Sequence, residues 1–309
     1  MIKFNKTITN LFPPTTHKKA MSIKKIFLLL SVALSQSVSS FAQDIDSITF
    51  VKAKWSKEKI APKTKLIIHH FNEKNLFLAN QNISFIEIDN KGKHPVFGIA
   101  ADSKTLKPTA VFGKENQAIA ALNGTFFDVK NGGSVDFVKV DGTVINQTRL
   151  EKESARARHQ KAAILISDGK LSITKWDNTP NWEQNISAPN VMLSGPLLTF
   201  NQKDETLDTS AFNRLRHPRS AIGIKPDGKI ILLTVDGRHD NSAGLSLFEL
   251  TKVMRWLGCT TSINLDGGGS TTLWISSKTI NGNVNYPSDN KKWDHEGERK
   301  VANVIYLKK

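Results

Sequence analysis

The sequence predicts an α+β fold: a single domain built on a mixed or antiparallel sheet, with few helices. Three observations carry that expectation. Apolar residues recur in short runs of strand length, Asp-Gly pairs punctuate those runs, and only one segment sustains a convincing helical period. At 309 residues, with 39% hydrophobic and 23% charged residues, the chain is long enough to bury a sizeable core. No fixed-period repeat and no low-complexity linker divides it.

The first 42 residues read differently from the rest. From Met21, which is also a candidate start, Lys24-Lys25 precede the apolar run Ile26 to Leu34 and a small, polar stretch ending Ser40-Phe41-Ala42. Basic, apolar and small-residue regions in that order are expected of a secretory signal cleaved after Ala42, and the apolar run is too short to span a bilayer. The expected product is therefore exported, periplasmic or secreted, with no membrane span. Residues 43–60 read as a polar lead-in or edge strand, and 61–309 as the catalytic domain.

Within that domain Leu66–Ile68, Ile83–Ile88, Val96–Ala100, Ala118–Leu122, Val135–Val140, Ala163–Ile166, Leu171–Ile173 and Ile230–Val235 read as strands. Asp141-Gly142, Asp168-Gly169 and Asp227-Gly228 read as hairpin turns, because Asp-Gly tolerates positive φ. The best helix runs from Leu247 to Leu257: Phe248, Leu250, Val253, Met254 and Leu257 recur at helical spacing. Ser246 and Glu249 form a Ser-x-x-Glu capping box at its start, and Gly258 suits its end. A weaker helical pattern near Ser103 to Phe112 is interrupted by Pro108.

Charge and cysteine content exclude some functions. The signal holds six lysines and no acid, which leaves 37 basic against 28 acidic residues, net +9, in the mature chain. Apart from Arg149 to Lys161 the lysines are scattered and lack interleaved aromatics. That is the pattern of a solvated basic face, and no nucleic-acid partner is expected. Cys259 is the only cysteine, so no intrachain disulfide can form, and its apolar context is that of a small buried side chain. His69, His70, His159, His217, His239 and Asp240 form no recognised ligand spacing, so neither a metal nor a cofactor is expected.

The most informative segment is Ser262 to Ile275. A strand delivers Asp266 to its end, Gly267-Gly268-Gly269 follow, then Ser270-Thr271, and a second strand leaves. Each glycine weakens a strand by about 0.5–1 kcal/mol relative to alanine, so an ordinary hairpin has no use for three. They permit close approach and can bare backbone N–H groups to an anion, while Ser270 and Thr271 add hydroxyls. The Gly-Lys-Ser/Thr ending of a P-loop and its following helix are missing. Other strand ends repeat the mixture of tight backbone and polar groups: Asn123-Gly124-Thr125-Phe126-Phe127, Ser194-Gly195-Pro196 and Val235-Asp236-Gly237-Arg238. Singly these are ordinary turn and loop pairs. Arg216-His217-Pro218-Arg219 adds two guanidinium groups suited to bidentate capture of phosphate, and an imidazole, just before a strand.

Taken in order, Asn123 to Phe127, Ser194 to Pro196, His217 to Gly223, Val235 to Arg238, Gly244 to Leu250 and Asn264 to Thr271 resemble the phosphodiester glycosidase family. The resemblance spans roughly residues 85–309. It implies an α+β domain, a carbohydrate or sugar-phosphate partner, and hydrolysis of a sugar-1-phosphodiester in a cell-envelope or extracellular glycan. Such a reaction passes through an oxocarbenium-like state that two carboxylates stabilise. The expected pair is Asp266 and Asp236, with Arg219, Arg238 and the Gly267, Gly268 and Gly269 amides on the phosphate. Asn123 and Thr271 are expected on sugar hydroxyls or the departing oxygen, and Gly124, Gly195, His217 and Ser270 beside them. Glu249 belongs to the family pattern, yet the capping box accounts for it completely, so both roles stand. His217 suits a proton donor or a loop anchor equally. A non-catalytic glycan-binding or envelope-assembly protein would keep the same loops and could dispense with the carboxylates.

Overall fold

In the computed structural model, which describes residues 45–149, 156–278 and 281–309, three antiparallel sheets enclose the core. The expected signal lies outside the described residues, as do positions 150–155 of the basic stretch. Of the expected polar lead-in or edge strand over 43–60, residues 45–52 are helical, and Phe50 is buried there. The sheet edge begins at Ser56–Ala61.

The largest sheet has eight strands in the order Ser56–Ala61, Thr64–Leu76, Ala79–Ile88, Ile230–Val235, Arg219–Ile224, Thr261–Asn264, Leu197–Phe200, Lys203–Asp204. A five-stranded sheet runs Thr143–Asn146, Val138–Val140, Asn190–Leu193, Ala162–Ser167, Lys170–Lys175. A four-stranded sheet runs Leu273–Ile275, Ala120–Asn123, Asn303–Lys308, Val96–Ala101.

Both faces of the large sheet are covered, which explains why Ile230–Val235 is apolar at every position but Thr234. Ile230 and Leu232 point into one core with Leu66, Ile86, Ile222 and Ile263, shared with Leu122, Ile164 and Ile305 of the smaller sheets. Ile231, Leu233 and Val235 point the other way, onto Leu247, Leu250, Val253 and Met254 of the helix Leu247–Trp256. Burying those four helical side chains is worth about 6–12 kcal/mol, which outweighs the cap. Phe248, expected on the apolar stripe, is 40% exposed, and Leu247 takes its place in the core.

The turn chemistry largely follows the sequence. Asp141-Gly142 and Asp168-Gly169 take positive φ at both residues and close two-residue hairpins. At Asp227-Gly228 only the glycine does, because the connection there is longer. Ser246 accepts from the Glu249 amide and Glu249 Oε2 accepts from the Ser246 amide, so the capping box forms, and Gly258 ends the helix at φ 85°. Pro108 starts a helix rather than interrupting one: Thr109–Glu115 follows it. A residue at a helix start has no intrahelical acceptor to reach, so its missing N–H costs nothing. Cys259 is buried, and burial pushes its thiol up to about 12.

Candidate functional site

Three central strands set the site. Arg219 pairs with Val235 on one side, and Leu265 N donates to Ser220 O on the other, so Asp236 and Asp266 leave the sheet at the same end, flanking Arg219. At about 4.8 Å per interstrand step, their backbones are separated by roughly 10 Å.

Asp266 is partly exposed, and its own carboxylate accepts from the Gly267 amide at 2.9 Å. Removal from water pushes it up to about 6, against the opposing pull of the Ser270 hydroxyl, the Gly267 amide and the charges of Arg299 and Arg238. The three glycines admit three different neighbours. A Cβ on Gly267 would meet Pro218 O at 2.6 Å; on Gly268, at φ 61°, Arg238 Nη2 at 2.9 Å; on Gly269, Asp289 Oδ1 at 1.8 Å and Arg299 Nη2 at 2.6 Å. Close approach is what they provide, and two of the three expected bared amides, those of Gly267 and Gly268, are engaged within the chain. Gly268 N donates to Pro218 O, and the segment Gly268–Ser270 closes into a 3-10 turn. The Thr271 hydroxyl is buried without a hydrogen-bond partner among the described residues.

Asp236 is fully enclosed. Asn82 Nδ2 donates to one oxygen at 2.8 Å; Asn285 Nδ2 and Tyr286 N donate to the other, each at 2.9 Å. Burial raises it to about 6, while these donors and the nearby His295 hold it down.

Other expected binders are engaged elsewhere. Arg219 is 1% exposed; Nε donates to Leu245 O and Nη2 to Phe212 O and Leu215 O, so most of its fork anchors backbone rather than reaching a phosphate. Burial lowers it to about 10, with Arg238 adding repulsion. Fully buried, Asn123 donates from Nδ2 to Asp266 O at 2.7 Å while Oδ1 accepts from Ser220 Oγ and Thr272 N, which fixes the loop. Gly124 packs on Asn303 and Met192 and accepts from Asp266 N. Gly195 O accepts from Asn264 Nδ2, and its bare Cα lets Arg158 and His159 approach. His217 bridges to Leu245 as a loop anchor, with burial, then Arg219 and Arg238, lowering its pKa. Glu249 is bound on both sides, by the Ser246 cap and by Arg216 Nη2 at 2.5 Å.

Arg238 differs from these. It is exposed, sits at φ 63° against Gly268, and lines a cavity of about 380 Å³ with His239, Tyr286, Lys291, Lys292 and Trp293. Tyr286 stacks on Trp293 at 4.0 Å, and Trp293 on His239 at 5.0 Å. Arg299 pairs with Asp289 beside Gly269. None of the residues from 281 to 299 was marked by sequence reasoning. Their one signal is Tyr286, Trp293 and His295 set in an otherwise polar, irregular run.

Carboxylates and guanidinium groups thus gather at one end of an antiparallel sheet, near a cavity lined by lysines and aromatics. Residues 116–308 match the family model described as phosphodiester glycosidase, and the chain belongs to that family. Among curated relatives, bovine N-acetylglucosamine-1-phosphodiester alpha-N-acetylglucosaminidase is 36% identical over 179 residues, covering 55% of this chain and 32% of its own length. The Bacillus subtilis prophage-derived protein YomE is 27% identical over 172 residues, 54% of this chain and 26% of its own. The chain thus spans about a quarter to a third of these relatives. The zebrafish N-acetylglucosamine-1-phosphodiester alpha-N-acetylglucosaminidase catalytic domain, auto-inhibited by its pro-peptide, shares the fold at TM-score 0.60 and 20% identity, covering 82% of this chain and 86% of that one. A hypothetical protein from Synechocystis does so at TM-score 0.60 and 16% identity, covering 82% and 64%.

Proposed function

We propose that this chain is an exported hydrolase that cleaves the C1–O–phosphate bond of a sugar-1-phosphodiester in a cell-envelope or extracellular glycan. The observation that carries the reading, beside family membership, is Asp266 held under the charges of Arg238 and Arg299, with Arg238 lining a lysine-bearing cavity. A phosphate monoester is a good leaving group, so cations can do much of the work of a general acid. Arg238, Lys291 and Lys292 hold the phosphate and stabilise the charge it gains. Asp266, ionised above about pH 6, acts as base or nucleophile at C1. Asp236, fixed by three donors, supplies the second negative charge toward the oxocarbenium-like state from a buried position.

The test is release of reducing sugar from a sugar-1-phosphodiester by purified protein and its Asp266→Asn variant. A loss of ~10²–10⁴-fold with unchanged thermal melting is expected. Retained turnover removes Asp266 from the chemistry. Sugar binding by the wild type without turnover would instead support the non-catalytic reading. Export rests on the signal pattern of residues 1–42, and N-terminal sequencing of secreted protein should begin at Gln43.

A further inference from the structure

A larger cavity, of about 610 Å³, is lined by Phe126, Arg149, Arg158, His159, Gln160 and Phe212 together with Val135. The buried guanidinium of Arg219 lies 5.0 Å from the Phe212 ring of this cavity and feels the charge of Arg238, which lines the first. Phe126 sits 6.1 Å from Phe212 and 4.9 Å from His159, centroid to centroid, making one continuous aromatic ledge. Two arginines stand over it. Arg149 Nη1 reaches Asp128 at 2.9 Å; Arg158 Nη1 reaches Asp208 at 3.2 Å and Ser210 Oγ at 2.5 Å. Each ion pair has one member more than half exposed, Arg149 in the first and Asp208 in the second, and such solvent-facing contacts are worth about 0–1 kcal/mol, so an incoming anion can displace them cheaply.

We infer that this cavity is a second subsite, which holds a neighbouring glycosyl-phosphate unit, and that the substrate is a chain of repeating sugar phosphodiesters. The inference rests on the phosphodiester reading above. An aromatic ledge suits the apolar face of a sugar ring, and paired guanidinium groups suit phosphate oxygens. The volume falls within the usual range for small-molecule sites. The buried carboxyl of Asp136 is compatible with an anion above it. Asp136 is fully buried, with Gln160 Nε2 at 3.0 Å, Thr125 Oγ1 at 3.4 Å and His159 Nε2 at 3.5 Å. Burial raises it to about 7, with Glu183 pushing the same way, so below that pH the floor carries no full negative charge. A substrate with one phosphate needs only the cavity at Arg238; a polymer engages both.

Two synthetic glycosyl phosphodiesters, with one and with three phosphates, separate the possibilities. In Arg158→Gln and Arg149→Gln proteins that melt normally, KM for the three-phosphate substrate should rise about 10-fold while kcat and KM for the one-phosphate substrate stay put. An equal change on both substrates, or none on either, overturns the subsite. Calorimetric titration of the three-phosphate probe into Asp266→Asn protein, with and without Arg158→Gln, reads the subsite independently of turnover. Loss of about 10-fold in affinity supports it, even if no hydrolysis is ever seen. No binding, or binding indifferent to Arg158, rejects it whatever the hydrolytic result.

Discussion

Replacing Asp136 with asparagine should make the protein slightly more stable at pH 5 and considerably more stable at pH 8.5. The carboxyl is buried beside the 610 Å³ cavity with one short donor, and burial lifts it from about 3.8 to about 7. The folded state therefore binds this proton more tightly than the unfolded chain does. The stability it confers is full below about pH 4 and is lost as pH rises toward 7. A lift of about three pH units corresponds to roughly 4 kcal/mol of stability lost by the wild type on the alkaline side. Asparagine mimics the neutral acid and carries no such penalty. For a domain of this size the difference appears as roughly 10 °C in melting temperature at pH 8.5. Urea denaturation of both proteins at the two pH values measures it directly. Asp236 and Asp266, also raised to about 6, weaken both proteins alike and cancel in the comparison. If the gap between variant and wild type is the same at pH 5 and pH 8.5, the Asp136 carboxyl does not titrate in that window and the argument from burial fails.

The remaining expectations concern the site itself. With Asp266 acting as base or nucleophile, log kcat/KM should climb with pH up to about 6 and level off above it, and a profile flat between pH 5 and 7 would exclude that role. Gly269→Ala places a methyl 1.8 Å from Asp289 Oδ1 and 2.6 Å from Arg299 Nη2, so it should displace that ion pair and cut kcat/KM by about 10-fold or more in steady-state assays. Glu249→Gln keeps an acceptor for the Ser246 amide but loses the charge facing Arg216. It should cost about 1 kcal/mol in urea melts and leave kcat within about twofold, whereas a collapse of kcat would assign Glu249 to the chemistry.

What the sequence determined by itself is local. Strand periods, the two-residue Asp-Gly hairpins and the capped helix at Leu247 depend on neighbours within a few positions, and all three are readable there. The loop at Asp266 was also legible, since three consecutive glycines in a strand-rich chain demand close neighbours. Which neighbours was not. Pro218, Arg238, Asp289 and Arg299 reach it from elsewhere in the chain. Asp236 looked like a free carboxylate until Asn82, 154 residues away, and Asn285, 49 residues away, were seen to hold it. Arg219 and Asn123 carry the right chemistry for phosphate and sugar, but the fold turns their polar atoms onto backbone carbonyls and inner side chains. A polar side chain within a core bonds to whatever tertiary packing brings beside it, because leaving it unpaired costs more than most single contacts contribute. Sequence pattern records the kind of residue a position requires; only the packed sheets decide whether that residue meets a ligand or another part of the chain.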